Sequence, residues 1–544
     1  SEVKEHVLSL PEVAFAEEVS LSCSEEGRER IKQVIKEKEL NRVVVGGCTP
    51  KINEKLFQEM MKELGLNPYL LEIANIREQC CWCTKEPKEA TEKAKDLVRM
   101  AVAKARTLEP VDPSSFPINH SGLVIGGGIS GMESSLYLAE RGFSVYLVEK
   151  EAELGGIANR IYSTIEGMDI QAYLEETKRK VLQNPSIRVY TSCQIHESSG
   201  HVGDFTTKIS VNGRVEELRH GVTIIATGAR EFKPKEYLYG QDARVLTLLE
   251  LEGEIARGES RVRFAHNLVI ILCVGSREEG RNWCSRVCCT QGIKCALKFK
   301  EINSRANVYV LYRDIRAYGF KESYYRRARE EGVIFIRYEP PDKPQVSITG
   351  EGEGSVLQVH ISDPLLGEGL GGDIRQTVRP PLTVPAEDNE FLSKPFKISL
   401  NDKGFFAEDY SKLSTVDSIQ EGIFITGLAD WPKFIEESVT QAKAASQRAA
   451  EILSREFIEA ESVVAEVDER LCSGCGICES LCPYSAIKVN RGRKVAEVDE
   501  ALCKGCGICC AACPSGAAQQ RGFKTDQINS MVEACLSLSG KEGF

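Results

Sequence analysis

The chain has 544 residues, 42% of them hydrophobic, and its 69 basic and 80 acidic side chains leave a net charge of -11. That length is enough for two to four domains with real cores, and an acidic chain with no dense Lys/Arg block excludes a nucleic-acid surface or a basic membrane patch. No run approaches the roughly 18 to 20 apolar residues of a bilayer crossing and the N-terminus lacks signal-peptide character, so a cytoplasmic protein that does not itself span a membrane is expected.

Residues 1–112 form the first block. It opens in a helix-like stretch, carries the strand RVVVGG up to Cys48, and runs through NPYLLEIANIREQCCWCT into the helical pattern KEATEKAKDLVRMAVAKARTL. The linker EPVDPSSFP, with three prolines in nine residues, closes it. A start at Ser1 rather than Met leads to the expectation that residues, including a first strand, precede this point. Cysteine is the outlier of the composition: 21 residues, in bunches. In a reducing compartment such bunches read as metal ligands or redox groups rather than disulfides.

The second block, 113–456, begins near residue 118 with GLVIGGGISGMESSLYLAERGFSVYLVEK, a strand, glycine turn, helix and strand with Glu149 at the end. In such a Rossmann unit Gly126 makes the tight turn, Gly128 lets the backbone approach a pyrophosphate and Gly131 lets the helix pack on the strand. The helix N-terminus at Ile129 and Ser130 offers amides to phosphates, and Glu149, next to Lys150, can bind ribose hydroxyls. EKEAELGG adds Gly155 and Gly156, HGVTIIATGA adds Thr227 and Gly228 at a strand end, and EGIFITGLADWPKFIEESVTQAKAAS places Gly427, Leu428 and Asp430 between a strand and a helix. In this order they resemble the parts of two-dinucleotide flavoprotein disulfide reductases, whose first Rossmann unit holds FAD. FAD is therefore the expected cofactor, on a thioredoxin-reductase-like α/β fold with two Rossmann units.

A second such unit, for NAD(P)H, would fall in the insert 231–385. Its strands are NLVIILCVGS and NVYVLYRD, yet CVGSREEGRNWCSRVCCTQGIK stands between them where a glycine-rich turn belongs. The pyridine-nucleotide site reads as replaced. Cys288 and Cys289 are adjacent and so do not make a CxxC dithiol. Four thiols, Cys273, Cys284, Cys288 and Cys289, suit an iron–sulfur cluster, with zinc as the competing reading.

The third block, 457–544, holds CSGCGICESLCP and CKGCGICCAACP, two copies of the CxxCxxCxxxCP run in which the fourth cysteine serves the neighbouring cluster. Cys472, Cys475, Cys478 and Cys513 are expected on one 4Fe-4S cluster and Cys503, Cys506, Cys509 and Cys482 on the other, in an α+β ferredoxin domain of the two-cluster bacterial type. Cys510, Cys193, Cys295 and Cys535 read as buried thiols outside these sets.

Essentially the whole chain resembles the A-type subunit of heterodisulfide reductase and its bacterial relatives. The likeness is carried by NRVVVGGCTP, NPYLLEIANIREQC, EKAKDLVRMAVAKA, TIEGMDIQAYLEE, EYLYGQDARVLTLLELE, CSRVCC, VYVLYRDIRAYGFKESYYRRAREEGVIFIRYEP and KFIEESVTQA. It implies a flavin-based electron-bifurcating or confurcating subunit in which FAD divides electron pairs between ferredoxin and a higher-potential acceptor, with clusters as wires. It also implies that the CSRVCC region ligates a cluster close to the flavin, and that Lys294, five residues past the last of those cysteines, lies at the reactive edge of the flavin. A cation there would stabilise negative charge on the reduced cofactor. In the first block Cys23, Cys48 and Cys80 match the family's positions for a further cluster in an N-terminal α/β domain, with Cys81 or Cys83 as the fourth ligand; Cys83 is taken as the candidate.

The inserted ferredoxin domain of methanogen relatives is not seen between residues 164 and 199, so the shorter bacterial branch fits better. The resemblance further implies partners: B- and C-type subunits, a hydrogenase, formate dehydrogenase or NADH module, and ferredoxin, around a homodimer within a larger complex. The alternative is a non-bifurcating relay subunit, as in quinone-linked or benzoyl-CoA reductase complexes. CCG repeats for a heterodisulfide site are absent from the sequence, so substrate reduction is expected on a partner.

Overall fold

The computed structural model describes residues 2–233, 235–352, 355–361, 372–374, 377–379, 382–409, 414–459 and 462–537. They divide into two compact units, Pro117–Ile458 and a second made of Ser1–Phe116 with Glu459–Phe544. The two terminal blocks, separate in the sequence reading, thus belong to one unit. The reason is packing: the C-terminal helix Thr525–Leu536 lies on the helix Pro87–Thr107. Gln527 Nε2 donates to the Thr107 carbonyl at 3.0 Å, Arg99 Nε donates to that of Ala534 at 2.6 Å, and the buried Lys104 ammonium sits 3.9 Å above the Phe523 ring.

The unit 117–458 is built on a parallel five-stranded sheet in the order Ile423–Ile425, Val222–Ile225, Ser121–Ile125, Ser144–Val148, Ile187–Tyr190. Strands covered on both faces read as unbroken apolar runs, and Leu123, Val124, Ile224 and Ile225 are buried accordingly. An antiparallel ribbon, Cys193–His201, Asp204–Val211 and Arg214–His220, follows the fifth strand. The strand pair Ala229–Phe232 and Leu382–Pro385 then leads into and out of a second parallel sheet. That sheet has the order Val245–Thr247, Thr377–Arg379, Asn267–Ile271, Asn307–Tyr312, Val333–Arg337. Leu268, Val269, Ile270 and Ile271 in its centre are buried, each contributing about 1.5–3 kcal/mol.

In the other unit the strand Val43–Gly47 pairs in parallel with Leu71–Asn75, over a core of Ile35, Phe57, Met60 and Met61. The ferredoxin-like segment has two antiparallel pairs, Ala465–Val467 with Ala518–Gln520 and Ile487–Asn490 with Val495–Val498, and the short helices Ile477–Leu481 and Ile508–Ala511. Among the described residues no helix is long and apolar enough to cross a membrane.

Candidate functional site

The first Rossmann turn is set by its glycines. Gly126 has φ 108°, and a Cβ there would meet the Ala226 carbonyl oxygen at 2.2 Å. A Cβ on Gly131 would meet the Gly126 oxygen at 1.8 Å, so the helix Ile129–Ala139 rests directly on the turn. A Cβ on Gly128 would meet nothing within 4 Å and would point into a 790 Å³ cavity. Glu149, buried at the end of its strand, accepts from the Gly127 amide at 2.6 Å and the Glu151 amide at 2.8 Å, which fixes its carboxylate at the cavity edge.

Gly126, Gly128, Ile129, Ser130, Glu149, Lys150, Gly155, Gly156, Thr227, Gly228 and Leu428 all line this cavity. Gly131 and Gly427 support it from behind: a Cβ on Gly427 would press on Ser130 Oγ at 2.3 Å. Asp430 is not part of the lining either. It forms a 2.5 Å ion pair with Lys433, which does line the cavity, and accepts from Gln441 Nε2 at 3.0 Å. Beside it Glu408 is pushed up to about 7 by burial and by the charge of Asp430.

The opposite wall comes from the helix Cys288–Ile302, through Thr290, Gln291 and Lys294. Lys294 is buried; its Nζ donates to the Ser163 carbonyl and to Glu252 Oε1, both at 2.7 Å. Glu252 was not legible as a site residue. It sits on the helix Leu248–Arg257, held by a capping box in which Thr247 and Glu250 satisfy each other's amides, and ended by Gly258 at φ 66°. Its carboxylate also accepts from the amides of Tyr162 at 2.7 Å and Ser163 at 3.2 Å. The hydroxyl of Thr290 is buried with no hydrogen-bond partner among the described residues. An open glycine cradle, a fixed carboxylate and an unsatisfied hydroxyl around one 790 Å³ cavity fit a dinucleotide such as FAD.

The same helix begins with Cys288 and Cys289, both buried. Gly292 one turn on packs against the second sheet, where a Cβ would meet Leu272 Cδ2 at 3.1 Å. Cys273 leaves its strand with φ 65°, a left-handed conformation costly for a residue with a Cβ, and one that concentrates at functional sites. Cys284 and Cys289 each share a thiol hydrogen bond with Cys288, and Cys273 lies within the electrostatic reach of Cys284 and Cys289. Burial pushes the Cys273 thiol up to about 11, whereas the hydrogen bond from Cys288 brings Cys284 down to about 6. All four sequence-predicted thiols therefore gather at one place. Among the described residues no three Cys, His, Asp or Glu side chains close to single-ion spacing.

In the ferredoxin-like segment Cys472, Cys475, Cys478 and Cys513 line one small cavity, and Cys482, Cys503, Cys506 and Cys509 line another. Backbone amides point at the sulfurs: Ala496 to Cys472, Ala465 to Cys503 and Ala518 to Cys513 at 3.4 Å, and Ala486 to Cys482 at 3.3 Å. Gly474 and Gly505 let the chain wrap, since a Cβ at either would strike a backbone carbonyl, that of Lys494 at 2.4 Å or Val463 at 2.1 Å.

The π-turn Arg77–Cys81, which follows the strand Leu71–Asn75, carries Cys80 and Cys81 and presents Arg77 to Cys48. Arg77 Nη1 donates to Cys48 Sγ at 3.2 Å and its charge also reaches Cys23. Cys80 is buried and donates to the Ala90 carbonyl at 3.0 Å; Cys83 is exposed, and Lys93 at 3.4 Å lowers its thiol. Two of the thiols read as buried are not: Cys510 is half-buried and Cys535 is exposed on the last turn of the C-terminal helix, whose inner face alone is covered. Cys193 and Cys295 are buried.

Residues 120–271 match the pyridine nucleotide-disulphide oxidoreductase family and residues 471–517 match the 4Fe-4S dicluster domain. The first iron-sulfur A-type subunit of CoB--CoM heterodisulfide reductase from Methanopyrus kandleri is 35% identical, covering 99% of this chain and 95% of that protein. The chain belongs to the family of heterodisulfide reductase A-type subunits. A second family member, the A-type subunit of the H(2):CoB-CoM heterodisulfide,ferredoxin reductase of Methanothermobacter thermautotrophicus, is 34% identical over 99% of this chain and 95% of its own. The M. kandleri alignment extends over 644 positions against the 544 of this chain, so that family member carries internal segments lacking here. Among solved structures, T. acidophilum thioredoxin reductase is similar at 15% identity and a TM-score of 0.43, covering 62% of this chain and 98% of that one. As a member of this family the chain is a flavin- and iron–sulfur-dependent oxidoreductase with a pyridine nucleotide-disulphide oxidoreductase domain and a C-terminal dicluster domain.

Proposed function

We propose that this chain is the FAD and iron–sulfur electron-transfer subunit of a heterodisulfide-reductase-like complex. FAD, which exchanges electrons in pairs, would there divide or merge them between ferredoxin and a disulfide or other acceptor on a partner subunit. One observation carries this reading: a single helix presents Cys288 and Cys289 at its start and Thr290, Gln291 and Lys294 to the flavin cavity. At about 3.6 residues per turn, Thr290 and Gln291 fall within the same turn as the two thiols and Lys294 lies less than two turns on. Four thiols occupy the place where a glycine-rich turn would cradle a pyridine nucleotide.

In this reading Gly126, Gly128 and Gly131 shape the pyrophosphate cradle, Glu149 orients the ribose, and Lys294, oriented by Glu252, holds positive charge at the wall where the cofactor's reactive ring would lie. Cys273, Cys284, Cys288 and Cys289 would hold the adjacent cluster; the two crossed cysteine sets would hold two more, and Cys23, Cys48, Cys80 and Cys83 a further one. Names of relatives that include ferredoxin, hydrogen or formate support a multi-subunit setting. The test is anaerobic reduction of the purified protein. NADH or NADPH alone should leave the flavin absorbance unchanged while reduced ferredoxin bleaches it; rapid bleaching by NADH would return the chain to the ordinary pyridine-nucleotide reductases.

A further inference from the structure

The loop after the strand Asn307–Tyr312 closes over the thiol set. Cys289 Sγ lies 3.8 Å from the Asp314 carbonyl, and Cys289 also accepts from the Arg316 amide. The Asp314 carboxylate bridges two guanidinium groups, pairing with Arg277 through one oxygen and with Arg316 Nε at 3.3 Å through the other. Arg316 in turn is hydrogen-bonded to the Cys284 thiol, and the charge of Arg277 reaches both Cys273 and Cys284. The Arg277 backbone is itself left-handed at φ 62°, and its carbonyl is held by Arg313 Nη1 at 3.1 Å, so the side chain is delivered from a fixed turn. The neighbouring Arg286 is turned away, to Glu437 at 2.6 Å and to Tyr318. The end of a second Rossmann strand is where an acidic or arginine side chain would meet a nucleotide's ribose or its phosphate. Here the acid and the arginines face sulfur.

We propose that Arg277 and Arg316, bridged by Asp314, form a cationic clamp that raises the reduction potential of the cluster carried by Cys273, Cys284, Cys288 and Cys289. The inference rests on the cluster reading of those four cysteines. Two arginines against one aspartate leave one net positive charge beside the thiolates. Each one-electron reduction adds a unit of negative charge to the cluster without a proton, and a fixed cation in a partly buried site stabilises that added charge. The delocalised guanidinium keeps its charge at every working pH, so this stabilisation does not titrate. The clamp would make this cluster the readily reduced end of the flavin's outlet.

The holoprotein is titrated anaerobically with a mediated low-potential reductant and followed by electron paramagnetic resonance. The relevant signal is the one that Cys288→Ala abolishes along with part of the iron. In Arg316→Gln and in Arg277→Gln the clamp requires that signal to become at least about tenfold harder to reduce at a given potential, 59 mV for a one-electron couple, with iron and FAD contents unchanged. Arg316→Lys, which keeps the charge, should retain the wild-type midpoint. An unchanged midpoint in both glutamine variants overturns the clamp while leaving the cluster reading intact. If Arg316→Gln sheds the iron, Arg316→Lys decides: the wild-type midpoint supports the clamp and a tenfold loss overturns it. No loss of iron or signal in Cys288→Ala overturns the cluster reading itself, and the clamp with it.

Discussion

Glu252→Ala would strand the ammonium of Lys294 in the wall of the 790 Å³ cavity. The two side chains are 5% and 8% exposed and 2.7 Å apart, so solvent does little to screen the pair. Glu252 also accepts from the Tyr162 and Ser163 amides, and both donors lose their acceptor with it. Removing one member of such a buried pair costs about 3–5 kcal/mol, most of it the penalty of the charge left behind. Lys294→Met strands the carboxylate instead and also destabilises. In the double variant each substitution removes the charge that the other would leave, so the losses fall short of additive by about 1–3 kcal/mol. Urea unfolding of the FAD-loaded protein, followed by tryptophan emission and by flavin release, measures all four corners of the cycle. Losses that add to within about 0.5 kcal/mol would refute the pairing of Lys294 with Glu252.

Gly128→Val places a side chain in the open cradle where the backbone would meet a pyrophosphate, at a position whose φ of -70° tolerates a Cβ. The folded protein should emerge with a flavin-to-protein ratio far below one after dialysis; full flavin content would contradict the cradle. His220 is fully buried, bonded to Thr207 Oγ1 at 2.9 Å and donating from Nδ1 to the Val222 carbonyl at 3.0 Å, and burial lowers it to about 4. Because its folded value lies below the ordinary 6.5, the unfolded chain binds the extra proton: stability is full above about pH 6.5 and falls as pH drops toward 4, by about 3 kcal/mol. The urea midpoint against pH should show this slope in the native protein and lose it in His220→Gln; matching profiles would contradict the assignment.

Much of the site was legible because its motifs are local. The turn Gly126–Gly131 with Glu149, the repeated CxxCxxCxxxCP runs and the cluster Cys284–Cys289 each specify geometry within a few tens of residues, and the crossed cysteine sets share cavities because the two repeats fold as facing halves. What the sequence hid is long-range. Glu252 meets Lys294 from 42 residues away, and Asp314 meets Arg277 from 37, with no spacing rule to announce either. Asp430 follows Gly427 at a suggestive distance, but the turn sends its carboxylate back to Lys433 and Gln441. Burial of Cys535 is the expectation from residue type, whereas the helix Thr525–Leu536 turns Gln527, Ser530 and the Ala534 carbonyl inward through hydrogen bonds and leaves Cys535 exposed beside Val532 and Leu536. The joining of the two terminal blocks depends on helix packing between residues more than four hundred positions apart, as Gln527 with Thr107.

The most direct measurement is the iron, sulfide and FAD content of the wild type and of Cys288→Ala, purified anaerobically in parallel. Conversion of the second dinucleotide turn into a cluster site predicts that the variant loses about four irons and four sulfides per chain while FAD is retained. Equal iron in the two proteins, or loss of FAD without loss of iron, would contradict it.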